Sequence, residues 1–284
     1  MGSGDVVVGY MANPSNPGDA IVTTPVGKLP NAVQVKVQRT SAQNGKVPFF
    51  FAKVLGYTDS AMDAQATAAF VSTIGGFKMP SDGSNLMILP YALDEGTWNT
   101  LSATGTDNYS YNTDSKTVTA GGDGIKECNL FPQSTGAPGN RGTVDIGGAN
   151  NSTSDLRRQI TSGINQCDMD SMTAQGRSLT FSDAGELYLN GDTGISAGVK
   201  DELAAIIGQT RIIPIFRSVT GNGNNAEYKI VKFVGVRILA VKLTGSASTK
   251  NLTVQPANIV ARGTIYKSNA TSSDYVYTPV WLVR

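Results

Sequence analysis

The stretch Tyr228-Lys229-Ile230-Val231-Lys232-Phe233-Val234-Gly235-Val236-Arg237-Ile238-Leu239-Ala240-Val241-Lys242-Leu243 decides the fold class. Taken with a period of two, Ile230, Val234, Val236 and Ile238 form one set and Val231, Phe233, Leu239 and Val241 the other, and both sets are apolar. A strand that is apolar on both faces must be covered on both, which predicts a central strand in a layered domain. Arg211 to Val219, Asn251 to Arg262 and Tyr275 to Val283 also read as strands, and Thr220-Gly221-Asn222-Gly223-Asn224-Asn225 joins the first of them to the central one as a hairpin. The expected fold is α+β and β-rich: a mainly antiparallel sheet or sandwich with a few short amphipathic helices and a long polar insertion.

Working outward, residues 199–284 form the C-terminal segment, a helix followed by the strands that complete the sheet. The helix is expected from about Ser196 to Ile207, since Val199, Leu203, Ile206 and Ile207 make one stripe and Gly208 follows where a helix stops. Residues 80–198 are rich in Asn, Asp, Gly and Ser and read as a loop-rich insertion. It holds one expected helix: Ser152-Thr153-Ser154-Asp155 has capping-box spacing, Leu156, Ile160 and Ile164 follow at four-residue steps, and Arg157 and Arg158 face solvent. Residues 31–79 form a strand-helix-strand segment. Val33, Val35 and Val37 alternate with Gln34, Lys36 and Gln38 as in a half-buried strand, and Asn44-Gly45 makes a turn. Pro48-Phe49-Phe50-Phe51-Ala52-Lys53-Val54-Leu55-Gly56 fits a short helix whose aromatics belong in the core, and Ala61 to Thr73 reads as a strand returning beside the first. Residues 1–30 comprise an appended-looking leader, Met1-Gly2-Ser3-Gly4, a short strand from Val6 to Met11 and a loop reaching Pro30.

Composition narrows function more by exclusion than by assertion. Charged residues make up 16% of the chain, apolar residues 40%, and the formal charge is +1. No basic stripe marks a nucleic-acid partner. The chain has no histidine. Ser-His-Asp and Cys-His relays, HExxH zinc sites and the two-histidine iron site are therefore excluded. Carboxylate-only chemistry survives, and Asp94-Glu95, Asp183 with Glu186, and Asp201-Glu202 are the pairs available for it. Each falls on an expected helix or turn where a solvated charge needs no catalytic reason, so the expectation is that the protein is not an enzyme.

Other motifs are weaker. Gly221-Asn222-Gly223 lies in a hairpin and lacks the strand-to-helix setting of a phosphate loop. Asp107, Asn112, Asp114, Asp123 and Glu127 supply enough hard oxygen donors for calcium, the only cofactor expected, but without EF-hand spacing; Asn/Asp-rich loops of this kind more often bond their own backbone. Cys128 and Cys167 are too far apart for a CxxC pair, leaving one disulfide or two free thiols, with export favouring the bridge. Asn151, Asn251 and Asn269 begin Asn-x-Ser/Thr triplets, which matter only in a eukaryotic secretory pathway.

Several separated segments, in order, resemble TadE/TadG-like proteins of the bacterial Tad (tight-adherence, Flp-type) pilus-assembly system. They are Asn31 to Val37, Val47-Pro48-Phe49-Phe50-Phe51-Ala52 with Gly56, and Ala61 to Ala69, then Gly191 to Leu203, Ile212-Ile213-Pro214-Ile215-Phe216 and Val231 to Ile238. The likeness is to the soluble part of the large TadG-like proteins of planctomycete-type bacteria. It implies a non-enzymatic, extracytoplasmic cell-envelope protein, minor pilin-like, whose partners are other pilus or envelope proteins. It also implies a natural form anchored by an N-terminal apolar helix that these residues lack. The alternative expectation is a secreted adhesin or ligand-binding module with calcium-stabilised loops.

Overall fold

The structure, a computed structural model, describes residues 5–14, 16, 18–26, 29–130, 141–148, 152–192, 197–221, 223–245, 249–267 and 270–283. The chain forms two compact units, Met1–Val71 with Pro279–Arg284, and Ser72–Thr278. The fold is strand-rich and mainly antiparallel, as expected from the alternating patterns.

The first unit is a four-stranded sheet. Strand β1 (Val6–Gly9) pairs antiparallel with β2 (Ala32–Arg39). The ribbon beyond β2 contains β3 (Val47–Pro48) and β4 (Asp59–Ser60), and the chain returns as β5 (Met62–Ala69), which pairs with β2 along its whole length from Ala32↔Ala69 to Arg39↔Met62. The C-terminal strand Trp281–Leu282 adds to β5 at Ala69 and Ala68. The core is small and sits at one end, where Met11, Ala32 and Ala69 are buried with Ile21 and Val283 packed on them. Asn31 locks that end: its side chain accepts from the Met11 amide at 2.8 Å and donates to the Met11 carbonyl at 3.1 Å. The loop after β1 lies so close that a Cβ on Gly9 would stand 2.4 Å from Ile21 Cγ2.

The second unit is built on the predicted central strand, Ala226–Lys242, which has neighbours on both edges. Thr210–Thr220 runs along one edge; Leu187–Asp192 and then Asn251–Pro256 share the other. The sheet continues through Arg141–Val144 and Tyr91–Asp94 to a two-residue parallel pairing of Leu93 and Asp94 with Ile215 and Phe216, so five strands close on themselves as a small barrel. Closure needs local bends, and register shifts occur at Ile215/Phe216 and Phe216/Ser218. The bulge changes which residues share a face. Tyr228, Ile230 and Phe233 lie in one core, whereas Val231, Val234, Val236 and Ile238 lie in the other.

Segment 80–198 is therefore more than a polar insertion. It supplies three of the barrel strands and three helices where one was expected: α1 (Glu95–Thr104), α2 (Thr153–Ser162) and α3 (Gln166–Ala174). Asp94 caps α1 by accepting from the Thr97 amide at 2.9 Å, and Ser152 caps α2 as its spacing predicts. Asn165 and Asp168 form a capping box on α3. The Asp168 carboxylate also takes both Arg158 nitrogens, at 2.9 and 2.6 Å, and Gln159 Nε2 at 3.2 Å, so Arg158 clips α2 to α3 instead of facing solvent. The fourth helix, α4 (Lys200–Ala205), follows a 3-10 turn at Ala197–Val199 and buries Val199, Leu203 and Ile206 as the stripe predicts. Lys232, nearly buried on the central strand, is neutralised by Asp274 at 2.8 Å, which also accepts from Trp98 Nε1 at 2.7 Å.

Candidate interaction surface

The first unit carries an apolar sheet face without a covering layer among the described residues. Cross-strand partners point to the same face, and the registers Val6↔Val35, Val8↔Val33, Val33↔Ala68, Val35↔Ala66 and Val37↔Ala64 therefore gather these side chains on one side. Leu282 joins them opposite Ala68. The valine and leucine exposures run from 38% at Val35 to 71% at Leu282. This overturns half of the strand reading: the alternation is real, but the valine side faces out. Period two establishes that the two faces differ, not which one is inward, and here the side shared by Ala32 and Ala69 is packed. The opposite face carries a Lys36–Asp63 ion pair at 3.8 Å and a Gln34–Thr67 hydrogen bond at 3.2 Å.

One edge of this sheet is open. Val283 donates to the Thr67 carbonyl at 2.7 Å, which aims the backbone groups of Thr67 outward, and alternation aims those of Gln65 and Asp63 the same way. Among the described residues no strand pairs with that edge of β5 before Ala68. An open edge beside an apolar face can accept a further strand or subunit, and the acidic Asp63 on it guards against indiscriminate pairing.

At the end of the ribbon the expected helix is only a single 3-10 turn, Ala52–Leu55, and it buries nothing. Phe50, Phe51, Val54, Leu55 and Tyr57 are exposed, from 66% at Tyr57 to 90% at Val54, so the expectation that these aromatics belong in the core is also corrected. The turn ends where expected, at Gly56, whose φ of 88° makes the left-handed turn, but it begins only at Ala52 because Pro48 is held in β3.

Most of the residues singled out for chemistry are engaged in bonds to neighbouring backbone or to basic side chains. Asp107 accepts from the amides of Asp123 and Gly124, Asp123 from that of Ile125, and Asn112 from those of Asp114 and Ser115. Glu127 is buried and accepts from the amides of Asn108, at 3.0 Å, and Tyr109, at 2.6 Å, and from the Thr106 hydroxyl at 3.1 Å. Among the described residues no three His, Cys, Asp or Glu side chains converge so as to hold a metal ion. The acidic pairs are likewise engaged. Glu95 is held by Arg217 at 2.7 and 3.0 Å, Asp183 by Lys267, Glu186 by Lys229 and the Tyr188 hydroxyl, Asp201 by Lys200 and Glu202 by Arg157. The hydrogen bonds from Arg217, Lys267 and Lys229 pull Glu95, Asp183 and Glu186 below the ordinary carboxylate range, opposite to what a general acid needs.

Cys128 and Cys167 are free thiols, which corrects the disulfide expectation. Cys128 is buried in the core with Leu130, Leu252 and Val254, whereas Cys167 is exposed on α3. Burial pushes the Cys128 thiol up to about 12. An aromatic disulfide reagent is therefore expected to titrate one thiol in the native protein and two after unfolding; two fast-reacting native thiols would contradict this placement. Of the glycosylation triplets, Asn251 begins the strand Asn251–Pro256, which pairs with the central strand on one side and with Cys128–Asn129 on the other, while Asn151 and Asn269 lie outside the described residues, as do Asn222 of the hairpin, residues 193–196 of the Gly191 to Leu203 segment and the leader Met1 to Gly4.

Residues 2–68 match the Tad_C family, described as Tad-like Flp pilus-assembly. The match falls within the first unit, and all of the surface just described except Leu282 lies in the part of the chain that is similar to this family. No curated protein and no solved structure matches the chain. Among the described residues no helix is long and apolar enough to cross a membrane.

Proposed function

We propose, with the Tad-like domain of residues 2–68 as premise, that the protein is a non-enzymatic, minor pilin-like component of Tad pilus assembly. It works outside the cytoplasm and docks other envelope subunits through the valine face of β1, β2 and β5. The observation that carries this reading is the exposure of Val6, Val8, Val33, Val35 and Val37 on one side of the matched residues, with Leu282 of the same unit beside them. A contiguous apolar patch of this kind is often a functional one. From strand spacing and rise, the face offers on the order of 350 Å² per partner. A stable stand-alone complex buries roughly 1,200 Å² or more in total. The face therefore suits a subunit held by several contacts at once, as in an assembly, better than an isolated tight pair. The ion pairs that hold Glu95, Asp183 and Glu186 below the ordinary carboxylate range support the non-enzymatic part.

The test is Val35→Glu, which puts a charge at the centre of the face without disturbing a packed residue. A central interface position is worth about thirtyfold in affinity when disrupted. Surface pili are expected to be lost at normal protein levels, while Gln34→Glu on the opposite face leaves them intact. Normal piliation and adherence with V35E, or in a strain lacking the gene, would overturn the reading.

A further inference from the structure

We infer that the turn Phe50–Tyr57 is a membrane-insertion tip that enters the interfacial layer of a lipid bilayer, a role that goes beyond subunit docking and uses a different surface. Three observations point to lipid over a protein pocket. First, Phe50, Phe51, Val54, Leu55 and Tyr57 are all exposed, around a turn that buries nothing of its own. A protein groove covers one side of such a turn, whereas a fluid apolar medium can surround its apolar side chains on every side. Second, part of the tip's backbone is bonded within the turn and its base, which lowers the cost of entering an apolar layer. Val54 donates to the Phe51 carbonyl at 3.2 Å, Gly56 to Lys53 at 3.1 Å, Tyr57 to Ala52 at 3.1 Å and Phe49 to Thr58 at 3.0 Å. Unpaired amides are what keep ordinary loops out of hydrocarbon. Third, the charge distribution fits a headgroup layer. Lys53 is the one charged residue between Val47 and Thr58, and the next pair down, Lys46–Asp59 at 3.1 Å, is self-neutralised at the base of the tip. An apolar turn with one lysine on a stem long enough to reach back toward phosphates is suited to anionic lipid.

The ribbon provides reach. The packed end of the sheet at Ala69 and the base of the tip at Asp59 are separated by extended chain spanning roughly 30 Å, so the tip projects well clear of its own core. The 3-10 turn itself is about 8 Å long. That matches the depth to which interfacial segments sink and is far short of spanning.

The experiment is vesicle flotation of the full 284-residue chain with phosphatidylcholine vesicles and with vesicles containing phosphatidylglycerol as well. The protein is expected to float with both and more strongly with the anionic ones. Phe50→Ser with Phe51→Ser is expected to weaken binding about a hundredfold. Since neither side chain is packed, the variant keeps its fold, which circular dichroism checks. Lys53→Gln is expected to cost about fivefold on anionic vesicles and little on neutral ones. Val35→Glu is expected to bind vesicles like the wild type, so failure of the docking reading and failure of this one are told apart. Wild-type protein that stays unbound on both vesicle types, or a double serine variant that floats equally well, overturns the inference. Loss of pili in the double variant without any vesicle binding by the wild type would reassign the tip to a protein partner.

Discussion

Gly142→Ala is expected to lower the stability of the second unit by about 3 kcal/mol. In a unit of this size that is about 6 to 12 °C in Tm. A Cβ at Gly142 would lie 1.9 Å from Tyr228 Oη and 2.3 Å from Cζ, and one at Gly191 would lie 2.1 Å from the Thr143 carbonyl and 3.0 Å from the Tyr228 ring. Tyr228 is thus laid across two glycines of adjacent barrel strands. It is also held edge-on to Phe216 with ring centres 5.0 Å apart, and its hydroxyl donates to the Asp192 carbonyl at 3.2 Å. Burial, with the Asp192 charge, pushes that hydroxyl up to about 12, so it remains protonated and donating through the neutral range. The ring cannot swing aside without breaking these contacts, which is why the clash is expensive. Urea and thermal unfolding of G142A, Y228A and the double variant give the check. The double variant is expected to be less damaged than the sum of the singles because Y228A removes the clash. Strict additivity would contradict the packing described.

Glu127→Ala is expected to cost about 2–4 kcal/mol, since it orphans the amides of Asn108 and Tyr109 and the Thr106 hydroxyl around a nearly inaccessible site. Glu127→Gln keeps one acceptor oxygen and is expected to cost about half as much. The same variants address calcium. The oxygens of Asp107, Asn112, Asp123 and Glu127 already receive backbone amides, so millimolar calcium is expected to leave the wild-type Tm unchanged. A calcium-dependent rise that E127A abolishes would reverse that expectation.

The polar loop shows where sequence reading succeeds and where it stops. Asn and Asp in turns favour bonding to their own backbone, and Asn112 and Asp123 do so two residues on. Glu127 could not be assigned that way, because its partners lie almost twenty residues earlier and meet it only when the strands beside it fold. Helix α3 was legible in principle from Asn165 and Asp168, a box at N-cap and N3, but its short, weakly periodic sequence hid it. Arg158 looked solvent-facing because its partner sits on the next helix.

Sequence alone determined the central strand, the return of the Ala61 to Thr73 strand beside the one from Asn31, the helix capped by Ser152, the burial of Val199, Leu203 and Ile206 on one stripe, the exclusion of histidine chemistry and the likeness to Tad assembly proteins. These are local or compositional properties, carried by periodicity, caps and residue inventory. Tertiary structure decided that the barrel closes through Ile215 and Phe216, that a bulge exchanges faces along Ala226–Lys242, and that two cysteines remain apart. It also decided that the valine face and the aromatic turn point outward. Alternation and apolarity state that a side chain prefers to be covered; whether the chain itself has anything left to cover it depends on where every other segment goes.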